Sequence, residues 1–187
     1  MKQCAFAQYR ISRAVFPSIS CACACALALT LNLAYPPGAR AAAGPGSAHA
    51  DLGPASGSDV SGTVVVRSRP GGGVHIDVRA SGLKPGVHGF HVHEDGDCSA
   101  PDASSAKAHF NPTKEPHGHH AGDLPDLTAD ANGNAQLSVD LPTLELGDGA
   151  NSILNRAFVI HADPDDHKSQ PAGNSGKRVA CGVIKAG

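Results

Sequence analysis

The sequence predicts an all-β protein: an antiparallel Greek-key β-barrel or sandwich, immunoglobulin-like in layout, carrying two long functional loops. Three observations lead there. Glycine (22) and proline (14) are abundant while tryptophan is absent and methionine occurs once, which denies a helical bundle its long Leu- and Met-rich stripes. Short β-branched or alternating runs recur between turn residues. No internal repeat or amphipathic helical stripe competes with them. At 187 residues there is room for one ordinary domain, placed at residues 59–187.

The elements follow in order. Residues 44–58 are rich in Gly, Pro, Ala and Ser and read as a flexible N-terminal segment or a weak first strand. Thr63-Val64-Val65-Val66 is β-branched. Val74, Ile76 and Val78 alternate with His75, Asp77 and Arg79, the period of a half-buried strand. Arg69-Pro70-Gly71-Gly72-Gly73 joins these two runs as a hairpin turn. Lys84-Pro85-Gly86 is the next turn, and an extended run follows from Val87 to His93. A polar stretch rich in Gly, Pro and His fills residues 94–127. Asn132-Gly133 turns into the alternating run Ala135–Val139, and two apolar runs close the list, Ala157–Ile160 and Val179–Ile184. Long loops in a compact domain need something to order them. Metal ions and a disulfide would do so.

Residues 1–43 read as a secretory signal. Lys2, Arg10 and Arg13 make a positive start, residues 14–35 are largely apolar, and Ala39-Arg40-Ala41-Ala42-Ala43 offers a small-residue cleavage site after Ala41 or Ala43. A transmembrane anchor fits less well, given Pro17, the serines and the small side chains. So does a lipid anchor at Cys21, Cys23 or Cys25, because the apolar stretch runs on past them. The protein is therefore expected to be exported, to the periplasm first and the exterior second, with no stable membrane insertion after cleavage. Cleavage removes Cys4, Cys21, Cys23 and Cys25 and leaves Cys98 and Cys181, which in an exported domain most simply make one disulfide. It also takes Lys2, Arg10, Arg13 and Arg40 but no acid, moving the formal charge from −2 to −6. An acidic mature chain argues against a nucleic-acid partner.

The histidines carry the chemistry. Seven of the eleven lie between residues 88 and 120. In His91-Val92-His93, strand geometry puts both imidazoles on one face and Val92 on the other, a start for a copper or zinc site. Two exposed histidines on an ordinary strand would look the same. His109, His117, His120 and Asp123 place four donors within fifteen residues, a set that suits tetrahedral zinc. A merely polar loop is the competing reading.

Five segments, in order, resemble the copper/zinc superoxide dismutase family in its bacterial exported form. They are Val87-His88-Gly89-Phe90-His91-Val92-His93-Glu94, Ala108-His109-Phe110-Asn111-Pro112, His120-Ala121-Gly122-Asp123-Leu124, Val159-Ile160-His161, and Gly173-Asn174 with Arg178-Val179-Ala180-Cys181-Gly182-Val183-Ile184. The resemblance implies a copper ion on His91, His93, His109 and His161, and a zinc ion on His109, His117, His120 and Asp123, with His109 shared. It implies a Cys98–Cys181 disulfide, and Arg178 beside the copper to guide superoxide, with Arg178 and His109 the catalytic pair. Asp165 would link imidazoles of the two sites, though a solvated acid in an Asp-rich loop is the alternative. His88 is expected to bond backbone rather than metal, and His75 to be exposed. The implied activity turns superoxide into dioxygen and hydrogen peroxide, and a homodimer is open to it. Against the family pattern, only two residues separate His117 from His120, and the loop between His161 and Arg178 is short. His119 could stand in for either neighbouring ligand. A copper-delivery protein without turnover and a zinc-only structural domain are the competing classes.

Overall fold

The computed structural model describes residues 46–187; the expected leader, with Cys4, Cys21, Cys23 and Cys25, lies outside the described residues. Ten strands follow: β1 (Ser47–Pro54), β2 (Ser61–Ser68), β3 (Val74–Ser81), β4 (Gly86–His88), β5 (Phe90–His93), β6 (Leu127–Ala129), β7 (Ala135–Leu141), β8 (Ala157–His161), β9 (Arg178–Val183) and β10 (Lys185–Ala186). Among the described residues the one helical element is a 3-10 turn at Ser104–Ala106.

All strand pairs are antiparallel, in the order β4-β6-β7-β3-β2-β1-β9-β8-β5, with β10 beside β1. The two ends of this path, β4 and β5, are separated only by Gly89. The sheet therefore curls round until its ends meet, giving a nearly closed barrel that leaves little open edge. The β2–β3 hairpin pairs from Ser61↔Ser81 to Ser68↔Val74, as the alternation predicts. Its inward positions Val64, Val66, Val74, Ile76 and Val78 are buried.

Three features of the strand list sharpen or change the sequence reading. Residues 47–54 form a strand, the second of the two readings open for that segment. Ala48, Ala50 and Leu52 alternate into the core, but small side chains make a faint pattern, and pairing to β2, β9 and β10 supplies what propensity lacks. The run Val87–His93 is broken at Gly89 into strands at opposite ends of the path. The short β6 and β10 carry no visible period because two or three residues cannot show one.

The core inside the barrel includes Phe90, Val92, Phe158, Ile160, Leu144, Leu146, Ile153 and Ile184. Phe90 stacks on Phe158 across the β5–β8 pair, with ring centroids 5.3 Å apart. Each such side chain contributes about 1.5–3 kcal/mol through burial. A second cluster of Ala55, Ala103, Ala106, Ala157, Val159 and Cys181 lies on the other face of β8 and β9. There the Cys98–Cys181 disulfide ties the loop ahead of the 3-10 turn to β9, with Cα atoms 5.7 Å apart and a sequence separation of 83.

Candidate metal centre

All four residues of β5 are buried. Phe90 and Val92 point into the barrel. His91 and His93 point out of it, yet are only 0 % and 1 % exposed, because two arms of the 94–126 loop lie along the free edge of β5. The Val92 N–H donates to Gly122 O (2.9 Å), Val92 O accepts from the Phe110 N–H (2.8 Å), and the Gly122 N–H closes the circuit to Phe110 O (2.9 Å). The same pairing sets His93 opposite His109 and His91 opposite Asp123. Gly122 is required there: a Cβ would overlap Val92 O and come within 3.0 Å of Phe110 N.

This packing gathers two donor groups, His91, His93, His109 and His161, and His109, His117, His120 and Asp123. In each group the ligand atoms all lie within 4.8 Å of one another. His109 belongs to both, and its ring centroid is 3.9 to 5.9 Å from those of the other five histidines. In the second group the Nδ1 atoms of His109, His117 and His120 sit 2.9, 3.4 and 3.2 Å from Asp123 Oδ1. Donors on a tetrahedral zinc at 2.0–2.1 Å are separated by about 3.3 Å.

Hydrogen bonding selects which ring nitrogen is left free. His91 Nε2 donates to Asp165 Oδ2 (2.6 Å), His117 Nε2 to Asp165 Oδ1 (2.8 Å), His93 Nδ1 to Lys107 O (2.9 Å) and His161 Nδ1 to Gly176 O (3.4 Å). The opposite nitrogens then face inward as lone pairs. His91 Nδ1, His109 Nε2, His117 Nδ1 and His120 Nδ1 are buried without a hydrogen-bond partner. His93 Nε2 and His161 Nε2 face one another at 3.4 Å. Buried lone pairs aimed at one another are unfavourable until a cation lies among them, and imidazole donors suit copper and zinc. The residues fit both ions.

Electrostatics agree with neutral imidazoles, the form that binds metal. Burial, reinforced by His109, lowers His91 from 6.5 to about 4. Burial with His109 and Arg178 lowers His93 to about 2. Burial with His91 and His109 lowers His161 to about 3. Burial alone would raise Asp123, but hydrogen bonds from His109 and the Gly118 N–H outweigh it and keep the carboxylate ionised. Asp165 follows the same pattern: burial opposes its charge, and donors from His117, the His167 N–H and His91 overcome that.

Arg178, at the start of β9, donates to Ala103 O (2.6 Å) and Lys107 O (2.5 Å). Its charge reaches the first group, since it depresses both His93 and His161. His88 bonds Lys84 O and His161 O through its two ring nitrogens and stands outside both groups. His119 is exposed and belongs to neither. His75 is held by Asp140 and Asp77 on the outer sheet face.

Sequence reasoning missed the residues that act through their backbones. Ala103 and Lys107, whose carbonyls receive Arg178, have φ of 56° and 61°, which no motif announces. In the sequence Gly173 stands out only as half of the Gly173-Asn174 motif. Its backbone (φ +64°) passes so close to Asp165 and His117 that a side chain there would displace their link.

Comparison with known proteins agrees with this geometry. The family model described as copper/zinc superoxide dismutase (SODC) matches residues 60–184. The chain is 43% identical over 148 residues to "Superoxide dismutase [Cu-Zn] 1" of Aquifex aeolicus, covering 73% of this chain and 86% of that one. It is 42% identical over 136 residues to the "Superoxide dismutase [Cu-Zn]" of Caulobacter vibrioides, covering 66% and 78%. Among solved structures, a superoxide-dismutase-like protein of Bacillus subtilis superposes with a TM-score of 0.67 at 37% identity, covering 72% of this chain and 95% of that one. With its barrel, its paired donor groups and a match across two thirds of its length, the chain belongs to the copper/zinc superoxide dismutase family.

Proposed function

We propose that this protein is a superoxide dismutase, converting two superoxide anions and two protons into one dioxygen and one hydrogen peroxide. The observation that carries the reading is His109, which offers Nδ1 to one donor group and Nε2 to the other. His91, His93, His109 and His161 would hold copper, and His109, His117, His120 and Asp123 would hold zinc. Copper supplies the one-electron exchange that zinc, without redox chemistry, cannot.

The chain's own residues do the rest. Asp165 holds His91 and His117 in the tautomers that free Nδ1 on each, and Lys107 O does the same for Nε2 of His93. Arg178 sets a fixed cation beside the first group and attracts a small anion. With Nδ1 of His109 kept in the Asp123 group, its Nε2 is the atom able to hold a proton and return it. A copper-delivery protein would gain nothing from a guanidinium aimed at an anion.

The reading includes an exported protein, in the periplasm first. It is supported by the leader-like residues 1–43 and by a disulfide of the kind oxidising compartments permit. The test is an assay of superoxide decay on purified protein, with copper and zinc counted in the same sample. Copper-loaded protein that leaves the decay rate unchanged would refute the reading. Sedimentation of that sample decides between monomer and homodimer.

A further inference from the structure

Three of the four members of the group His109, His117, His120 and Asp123 are placed from the β5 side. His109 and Asp123 are bridged to β5, and the His120 N–H donates to Asp123 Oδ2 at 3.0 Å. His117, whose neighbour Gly118 also donates to Asp123 Oδ2 (2.8 Å), is held in addition from the loop between β8 and β9. Its backbone N–H donates to Gln170 Oε1 (2.9 Å), and its carbonyl accepts from Gln170 Nε2 (3.3 Å), which also reaches Lys168 O (3.2 Å). One side-chain amide thus satisfies both backbone groups of His117 across 53 residues of sequence. The ring of His117 is gripped from the same loop by Asp165.

The segment holds a choice that the donor chemistry alone does not make. His117, His119 and His120 crowd into four residues, and any two of them could supply imidazole nitrogens. The structure buries His117 at 3 % exposure and leaves His119 in solvent. A backbone that slid along the loop would exchange them, and neither ring differs in intrinsic affinity. The register is held by the Gly118 N–H bond to Asp123 Oδ2 (2.8 Å), by Asp165 on the His117 ring, and by Gln170, which alone holds both backbone groups of His117 itself.

We infer that Gln170 is a positioning residue that selects His117 over His119 as the third imidazole of the Asp123-centred group. This rests on the reading of that group as a zinc site. It makes zinc affinity depend on the loop between β8 and β9, and by reciprocity makes zinc order that loop.

The test uses the mature protein with Zn2+ in chelator competition and Co2+ as a spectroscopic substitute; superoxide turnover is not read. Gln170→Ala weakens zinc by about 10–100-fold, the range for residues that orient metal ligands, and shifts the visible Co2+ absorption. Gln170→Glu keeps the acceptor for the His117 N–H and restores most of the affinity. His119→Ala alone changes nothing. Added to Gln170→Ala it lowers affinity further, because His119 then serves as a ligand, and this non-additivity is the signature of selection. Unchanged zinc affinity and Co2+ spectrum in Gln170→Ala would overturn the inference, as would a double variant no weaker than Gln170→Ala. Wild-type protein that binds no zinc sinks both this and the proposed function. Tight zinc binding without superoxide turnover sinks only the latter.

Discussion

His93 and Arg178 donate to the same acceptor, the carbonyl oxygen of Lys107, at 2.9 and 2.5 Å. A donor of the candidate copper group and the cation beside it are thus registered through one backbone atom. Lys107 holds that carbonyl in place with φ of 61°, a region costly for a side-chain-bearing residue.

Arg178→Gln should therefore leave copper content unchanged while kcat/KM falls. A charge-assisted hydrogen bond to an anion is worth about 1.5–3 kcal/mol, so a loss of roughly tenfold or more is expected. The wild-type rate should fall with added salt more steeply than the variant's. Equal rates at matched copper occupancy would remove Arg178 from substrate capture.

The disulfide bears on the same carbonyls, because it ties the segment from Cys98 to β9 next to Arg178. Cys98→Ser should lower stability by about 2–5 kcal/mol. Denaturant melts will check this, with reductant bringing wild type down to the variant's midpoint. A midpoint indifferent to both changes would mean the bond is not formed in solution.

Gly122 makes a prediction about the loop arms. An added Cβ must push against Val92 O and Phe110 N, both backbone atoms within the β5 pairing. Gly122→Ala should cost about 1–3 kcal/mol, the range for overpacking. It should also speed amide exchange at Val92 and Phe110 ahead of the β2–β3 hairpin. Protection preserved at both amides would show that the arm adjusts without harm.

The buried imidazoles predict how the metal-free protein responds to acid. His91, His93 and His161 titrate at about 4, 2 and 3 when folded, against 6.5 as the ordinary value. The unfolded chain therefore takes up protons first as pH falls below 6.5. Their contribution is fully present above that pH and is lost on acidification, by up to about 1.4 kcal/mol per pH unit for each proton. The thermal midpoint of metal-free protein should drop steadily from pH 7 to pH 4.5; a flat profile would mean these rings are not buried as neutral groups.

Much of the site was legible because its residues sit on short motifs with a physical period. His91-Val92-His93 reads as two imidazoles on one strand face, since the period of two is a property of any strand. The hairpin of β2 and β3 announced itself by alternation and glycine-rich punctuation. By contrast β1 was faint, because Ala48 and Ala50 bury too little surface to mark a period. Its place is set by pairing to β2 and to the distant β9 and β10. The carbonyls of Ala103 and Lys107 and the amide of Gln170 left no trace, because backbone direction and a single contact across 53 residues have no compositional signature.

The donor chemistry is written into the amino acids alone: which imidazoles and which carboxylates are present, and the strand that carries the first two. The packing of the folded chain settled which nitrogen of each ring is free and which of the crowded histidines is buried. It also decided that His109 serves both groups. Those choices are made by hydrogen bonds from the loop between β8 and β9 and from the Lys107 carbonyl, and by the two loop arms laid along the edge of β5. Such contacts exist only after the barrel has closed.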